Sequence, residues 1–506
     1  MSSKTVRIVK NTLALYFRQV VVMLISLYTI RIVLEILGAE DYGIFNVVGG
    51  IVLLFTFLNT AMVRTTQRFM NFALGQNDME RVRNVYSISI VVHALIAVIV
   101  VFFAQTVGVW FFQTWLSIPT ERQSAAFVVY QFSVVTTVIG ILQVPYRATI
   151  IAYERMSFFA ILSIVEAALR LGVVFLLPLI LFDKLMVYAF LVCITWIVVF
   201  LIHKVYCNRT FETARFRYFM DRSLLRQLLV FSGWSAFGGA VNISRDQGCN
   251  ILINIFHGVT VNAAMGIATQ VNMAVYHFVS NFQTAFNPQI VKSYSVKDYD
   301  YFMLLIFRAS KISFCLLFFF VLPLYLNAEF VLRIWLSDVP EYTVILTQLF
   351  LLYSLAQAIM GPLWMSIRAI GDIKKYHLVL SCFVFANLPL SFIFLWLGFS
   401  PAWILIVRVI LNILILFWHI YFLSKKISFP INGFLNEVIL PICIIAGLSV
   451  FATIFVYNLF IDDINKLILS CIVSSVSIGS LMYLIGLKKH EKISLINWIK
   501  NNISKS

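Results

Sequence analysis

The chain has 506 residues, 61% of them hydrophobic and 12% charged, with a mean hydropathy of +0.94 and a formal net charge of +16 at pH 7. Apolar runs of about 20 residues recur along nearly its whole length, which excludes a soluble domain; because the runs are continuous and not alternating, a transmembrane β-barrel is excluded as well. The basic excess is spread over eight separate segments, a pattern that fits membrane orientation and anionic lipid headgroups and argues against nucleic acid as a partner.

In chain order, hydrophobic runs with polar punctuation predict helices over 13–37, 44–63, 86–112, 125–146, 158–182 and 185–206. A basic linker follows at 207–226, then runs at 227–256, 262–290, 305–327, 342–367, 377–399 and 401–423, and a last pair at 438–461 and 467–487. This describes an all-α integral membrane protein of about 14 transmembrane helices. It divides into an N-lobe (1–206), the linker, a C-lobe (227–424) and an accessory pair with a basic tail (425–506). The first apolar run is long and has no A-x-A site, so it is expected to remain as an uncleaved anchor.

Charge placement tests this map independently of hydropathy, since cytoplasmic loops hold the excess of Lys and Arg. With the N-terminus inside, 27 of the 38 basic residues fall in inner segments and seven within helices, and only Arg122, Lys184, Arg333 and Lys466 fall in outer loops. Outer loops gather acids instead, among them Glu40, Asp41, Asp462 and Asp463. Both termini are therefore expected to be cytoplasmic.

Cysteine and histidine offer no chemistry. Cys193, Cys207, Cys249, Cys315, Cys382, Cys443 and Cys471 are scattered without a C-x-x-C pair or metal spacing and are read as core thiols. His93 and His277 stand singly in apolar helices with no nucleophile at a catalytic spacing. No catalytic group, cofactor or metal site is implied.

The chain repeats itself. Pro145-Tyr-Arg-Ala-Thr149-Ile150-Ile-Ala152 and Pro362-Leu-Trp-Met-Ser366-Ile367-Arg-Ala369 both read P-x-x-x-[ST]-I-x-A and lie 217 residues apart, about six helices. A weaker echo sets Gly38 before Tyr42-Gly43-Ile44 and Gly258 before Met265-Gly266-Ile267. Six is even, so the halves run the same way through the membrane, related by an axis along its normal, with a substrate site expected between them. Pro145 and Pro362 are candidate gating kinks, or tolerated breaks near helix ends.

Seven cations lie inside apolar segments: Arg18, Arg31, Arg170, Arg245, Arg308, Lys311 and Arg408. Only three acids do, Glu35, Glu166 and Asp246. Charges in hydrocarbon are costly and usually face a bundle interior or a wet cavity, so the positive sign points to an anionic cargo. Arg31 with Glu35, and Glu166 with Arg170, are spaced for i, i+4 ion pairs. Arg245 and Asp246 point about 100° apart and are not expected to pair with each other. The segments at 227–256 and 262–290 are also unusually polar, with Asn242, Asn250 and Gln270 among their amides. Such amides either glue helices together or line a wet cleft.

Three stretches carry a family resemblance: Asn11-Thr-Leu-Ala…Arg18, Ile36-Leu-Gly-Ala-Glu-Asp-Tyr42-Gly43-Ile44-Phe45, and the basic loop Arg64-Thr-Thr-Gln-Arg68-Phe. With the layout of nearly the whole chain, they resemble bacterial polysaccharide transporters of the O-antigen and capsule flippase type, in the multidrug/oligosaccharidyl-lipid/polysaccharide exporter superfamily. The resemblance implies a two-lobed bundle in the bacterial cytoplasmic (inner) membrane. It would move an undecaprenyl-diphosphate-linked oligosaccharide between leaflets by alternating access, coupled to H⁺ or Na⁺, with membrane lipids, a polysaccharide polymerase and glycosyltransferases as partners.

Arginine suits a diphosphate because its planar fork binds phosphate in a bidentate way and stays charged. Arg18 and Arg245 are the first candidates for substrate contact, with Arg31, Arg170, Asn242, Asn250 and Gln270 beside them. Glu166 and Asp246 are candidates for the coupling ion, and Arg64 and Arg68 for the entrance. The rivals are a cation-driven multidrug exporter of the same superfamily, whose cavity should favour acids, and a membrane-embedded polysaccharide polymerase or ligase, which needs larger outer loops than these. Reporter fusions test the topology. Fusions after Glu121 and Asp462 should read as outside, and fusions after Arg222 and at the C-terminus as inside.

Overall fold

The computed structural model describes residues 3–53, 63, 66–67, 69–74, 76–153, 155–217, 221–336, 338–370, 374–487 and 492. Side chains are described for these except 3–18, 53, 228–239, 284–285, 287–288, 292, 295 and 374. Among the described residues there are fourteen long helices and no strand. The stretch Ser3–Leu53 is broken at Gly38 into α1 (3–37) and α2 (39–53). Helix α3 (Met79–Phe103) continues through a π turn, Ala104–Gly108, into Val109–Trp115. Next come α4 (Gln123–Ala152), α5 (Met156–Leu176), α6 (Lys184–Thr210), α7 (Arg222–His257) and α8 (Val259–Ser295). The series ends with α9 (Tyr299–Leu326), α10 (Thr343–Ile370), α11 (Lys374–Trp396), α12 (Trp403–Ile427), α13 (Leu440–Tyr457) and α14 (Asp463–Leu481).

Each predicted run corresponds to one helix, so the all-α membrane architecture holds. Many helix starts lie before the apolar runs, as at Met79, Arg222 and Tyr299, because a helix continues past the hydrocarbon until a cap stops it. Aspartates do much of that capping: Asp78 accepts from the Arg81 amide at 2.9 Å, Asp183 from Met186 at 3.1 Å, Asp221 from Ser223 at 2.8 Å and Asp298 from Tyr301 at 3.1 Å.

The internal repeat is written in the backbone. Gly38 (φ 76°, ψ 171°) and Gly258 (φ 80°, ψ −174°) break the chain with nearly the same dihedrals, after the first helix of each half. Both lie in a region almost reserved for glycine. Two further positions, Asn77 (φ 56°) and Lys297 (φ 60°), end helical segments 220 residues apart. The amides that follow, of Asp78 and Asp298, each bond at 3.0 Å to a carbonyl five residues back, Ala73 and Ser293. The proline motif repeats in its hydrogen bonds as well: Thr149 Oγ1 donates to the Pro145 carbonyl and Ser366 Oγ to the Pro362 carbonyl, both at 2.8 Å.

Two compact units are present, 1–266 with 336–341 and 384–401, and 267–335 with 342–383 and 402–506. In the first, α7 and the start of α8 pack with α1–α6, and small residues set how closely they approach. A Cβ on Gly43 would sit 1.8 Å from the Val259 carbonyl oxygen, and one on Gly248 would sit 2.5 Å from the Leu388 side chain. Helices in hydrocarbon associate through such close backbone approach and polar contacts, since burial of apolar surface drives them little. The linker also folds in: Phe211 and Ala214 are buried, Tyr153 stacks on Phe211 at 4.3 Å, and Tyr153 Oη is 2.7 Å from Thr213 Oγ1. Its bases Arg209, Arg215 and Arg217 stay exposed, as a solvated charge run requires.

In the second unit the accessory helices are docked by polar contacts through an otherwise apolar core. Asn327 Nδ2 donates to Ser470 Oγ of α14 at 2.8 Å, and Lys311 Nζ donates to the Glu437 carbonyl, in the π turn before α13, at 3.3 Å. Among the seven cysteines the core-thiol reading holds for Cys193, Cys207, Cys249 and Cys315; Cys382, Cys443 and Cys471, on α11, α13 and α14, are exposed and correct it.

Gly38→Ala and Gly258→Ala are each expected to destabilise the protein by ~1–3 kcal/mol through backbone strain alone, since neither site has a neighbour within 4 Å. Gly447→Ala and Gly479→Ala, inside α13 and α14 with equally open surroundings, should instead be neutral or gain up to ~1 kcal/mol. Thermal unfolding in detergent separates the two pairs.

Candidate functional site

Eleven helical stretches among the described residues are long and apolar enough to cross a membrane, with α1 and α2 counted as one. The helices that fall outside that set are α7 and α8, of 36 and 37 residues. They are long enough to cross but too polar to pass as ordinary spans, and they carry most of the sequence-predicted amides and Arg245.

Arg245 and Asp246 correct the sequence expectation. Arg245 Nε and Nη2 both lie 3.0 Å from Asp246 Oδ1, so these sequence neighbours do pair. An arginine stem is long enough to fold back across the 100° between adjacent positions, which an argument from Cβ directions misses. The guanidinium side chain is 12% exposed and its carboxylate partner 47%.

Most of the amides bond to helix backbones. Asn262 Nδ2 reaches the Asn250 carbonyl at 2.6 Å and Asn250 Oδ1 at 2.8 Å, while Asn250 Nδ2 donates to the Asn46 carbonyl on α2 at 3.3 Å. Asn254, fully buried, accepts from the Ser117 amide at 2.9 Å and donates to the Ser117 carbonyl at 3.3 Å, pinning the turn after α3. For Asn250 and Asn254 the glue reading applies. Asn242 is exposed, and Gln270, in the second unit, is half-buried.

Of the two predicted i, i+4 pairs, one forms. Arg170 Nη2 is 2.6 Å from Glu166 Oε1, with the guanidinium 5.4 Å over the Trp196 ring. Arg31 and Glu35 are both exposed on α1, and no ion pair closes between them. Arg18 lies on α1 with its side chain outside the described residues, and Arg64 and Arg68 are outside them altogether. Pro145 and Pro362 sit inside continuous helices, α4 and α10. In the second unit Lys311 and Arg408 are only 6% and 5% exposed, and Arg408 is 5.6 Å from the ring centres of Phe350 and Tyr353. Among the described residues no group of His, Cys, Asp and Glu is arranged to hold a metal ion.

Sequence reasoning missed one charge cluster. Arg122, at the start of α4, reaches Asp41 with Nε at 2.8 Å and Nη2 at 2.5 Å, and Asp183 with Nη1 at 2.5 Å. The three residues come from chain positions 61 and 81 residues apart, so no local spacing announces them. Partial burial pushes the Asp183 carboxyl up, but Arg122 and the Met186 amide outweigh it and hold it below the ordinary 3.8. Three of the four bases assigned to outer loops are tied to acids in this way, since Arg333 pairs with Glu329 and Lys466 Nζ lies 4.0 Å from Asp463. Beside this cluster Glu40, Ser117, Ile118, Pro119, Gly258 and Thr260 help line a cavity of about 440 Å³.

No family model and no curated protein sequence matches the chain. Solved structures do. The lipid II flippase MurJ, in an inward closed conformation, matches with a TM-score of 0.71 at 13% identity over 94% of this chain and 99% of its own. The fold is that of the MOP-superfamily transporters. An inward-facing multidrug resistance MATE family transporter of the MOP superfamily matches with a TM-score of 0.64 at 15% identity, over 80% of this chain and 96% of its own. A MOP superfamily transporter from Pyrococcus furiosus, described by the reverse polarity of its binding pocket, matches at 0.57 with 13% identity, over 82% and 96%.

Arg122→Ala would leave two partly buried carboxylates facing each other and should cost about 2 kcal/mol; Arg122→Lys, with one point charge in place of a fork, should recover part of it. The Asp183 carboxyl is depressed in the fold, so its contribution is complete above pH 3.8 and is lost as pH falls below that value. Melting temperatures in detergent from pH 7 to pH 3 check both statements.

Proposed function

We propose that this chain flips an undecaprenyl-diphosphate-linked oligosaccharide, the repeat unit of an O-antigen, capsule or exopolysaccharide, from the inner to the outer leaflet of a bacterial cytoplasmic membrane. Alternating access coupled to H⁺ or Na⁺ would drive it. The observation that carries this reading is the sign of the intramembrane charge, seven cations to three acids, on a fold matched over 94% of its length by a lipid flippase. A negatively charged lipid head must be drawn from water into a site of low dielectric, and guanidinium groups are the side chains suited to receive it.

Arg245 is the first assignment for the diphosphate. Asp246 Oδ1 lies 3.0 Å from its Nε and Nη2, and a diphosphate offers a bidentate partner of higher charge than a carboxylate. Arg18, Arg31 and Arg170 are assigned to the same anionic path, with Asn242 and Gln270 for sugar hydroxyls; Asn250, expected beside them, is already used in holding α7 to α2 and α8. Glu166 and Asp246 are assigned to the coupling ion, Arg64 and Arg68 to the entrance, and Pro145 and Pro362 to hinge motion. Short outer loops argue against a polysaccharide polymerase or ligase, which would need room there for an active site. The MATE likeness favours a second reading, a cation-driven multidrug exporter, for which the surplus of cations is the wrong sign.

Deletion of the gene should cause a lipid-linked glycan to accumulate on the inner leaflet, detected by extraction and mass analysis, with drug sensitivity unchanged. The opposite pattern establishes the exporter. Within the flippase reading, Arg245→Ala should abolish glycan export while the protein remains inserted, and Arg245→Lys should retain part of it. Full export by the alanine variant removes Arg245 from the site.

A further inference from the structure

Proline has no amide hydrogen, so at Pro362 helix α10 loses the bond that would end on the carbonyl four residues back, that of Ala358. In hydrocarbon no water is at hand to replace it. Gln283 of α8 replaces it: its Nε2 donates to the Ala358 carbonyl at 2.9 Å, from a side chain only 3% exposed. The residue before the proline makes room. A Cβ on Gly361 would lie 2.2 Å from Gln283 Oε1 and 2.6 Å from Nε2, so the amide can lie against α10 only because position 361 is glycine. One turn on, Ser366 Oγ donates to the Pro362 carbonyl at 2.8 Å, a back-bond that bends helices.

The other half has the proline without the amide. Pro145 frees the Ile141 carbonyl in the same way, and Thr149 repeats the back-bond, but among the described residues no side chain donates to Ile141. At Pro145 the neighbouring helix α6 bonds beside the proline, through His203 to Gln143 at 2.7 Å and through Cys207 to the Tyr146 carbonyl at 3.6 Å, and among the described residues only at Pro362 does a neighbour, the polar α8, fill the very bond that the proline withholds.

We propose that Gln283 is a positioning residue of the transport cycle, a releasable clamp that holds α10 in its present shape at Pro362 and lets it bend when α8 withdraws. The proposal rests on the transport reading for its purpose but not for its test. In a purely structural role Gln283 would only satisfy the orphan carbonyl, and restoring the missing amide would make it dispensable in every respect. In the clamp role, restoring the amide repairs stability and removes the hinge.

The experiment compares the full-length protein with Gln283→Met, Pro362→Ala and the double variant, by hydrogen–deuterium exchange over residues 358–366, by melting in detergent, and by the surface glycan each restores to a deletion strain. Gln283→Met should raise exchange around Pro362 several-fold and lower the melting temperature by a few degrees. Pro362→Ala should bring exchange below the parent level, and the double variant should regain the parent melting temperature. Glycan export should stay impaired in both proteins carrying Pro362→Ala. Gly361→Ala, which displaces the amide by contact, should reproduce Gln283→Met. Unchanged exchange in Gln283→Met overturns the clamp, and so does full glycan export by the double variant. If the deletion strain shows no glycan defect, the flippase reading fails, and the exchange and melting comparison still decides whether Gln283 controls the bend.

Discussion

Within hydrocarbon a polar group has no solvent to turn to, and this one constraint organises the protein. A helix satisfies its own backbone until something interrupts it, and most of the interruptions described above have a named remedy, the Ile141 carbonyl freed by Pro145 being the exception among the described residues. Aspartate side chains close the starts of helices, glycine supplies the dihedrals at both breaks, and Gln283 supplies the bond that Pro362 withholds. Charges obey the same rule. Arg170 lies between Glu166 and Trp196, Arg245 on Asp246, Lys311 on a π-turn carbonyl and Arg408 between two aromatic rings.

These remedies differ in how readily they exchange. A lysine on a main-chain carbonyl or an arginine between aromatic rings, each nearly inaccessible, is structural. Arg245 is different, because its carboxylate partner is nearly half exposed and its helix is one of the two least apolar. A buried cation with an accessible counterion is ready to accept a different anion. The amides differ in burial as well: Asn250 bonds to the α2 backbone and Asn254 to that of the turn at Ser117, while Asn242 is exposed.

The repeat links fold and proposed cycle. Nearly identical dihedrals at Gly38 and Gly258, matched turns at Asn77 and Lys297, and matched back-bonds at Thr149 and Ser366 show two halves built on one plan. Their differences, above all the clamp at Pro362 without a counterpart at Pro145, are where one half can be restrained independently of the other.

Much of this was legible in residues alone. The helices were, because about 20 consecutive apolar residues have few alternatives, and so were the repeat, through its proline motif, and the Glu166–Arg170 pair, through its i, i+4 spacing. What stayed hidden depended on residues distant in sequence or on side-chain reach. The Arg122 cluster joins the starts of three separate helices, the Arg245–Asp246 pair runs against the Cβ directions, and Gly361 is intelligible only once Gln283 is seen against it. The sequence by itself determined an all-helical membrane bundle with an internal repeat and a surplus of cations in its apolar segments, since periodicity and charge are local properties. Which of those cations are buried against a partner, and at which of the two prolines a neighbour supplies the missing bond, only the tertiary structure decided, because those depend on what a neighbouring helix places within hydrogen-bonding distance.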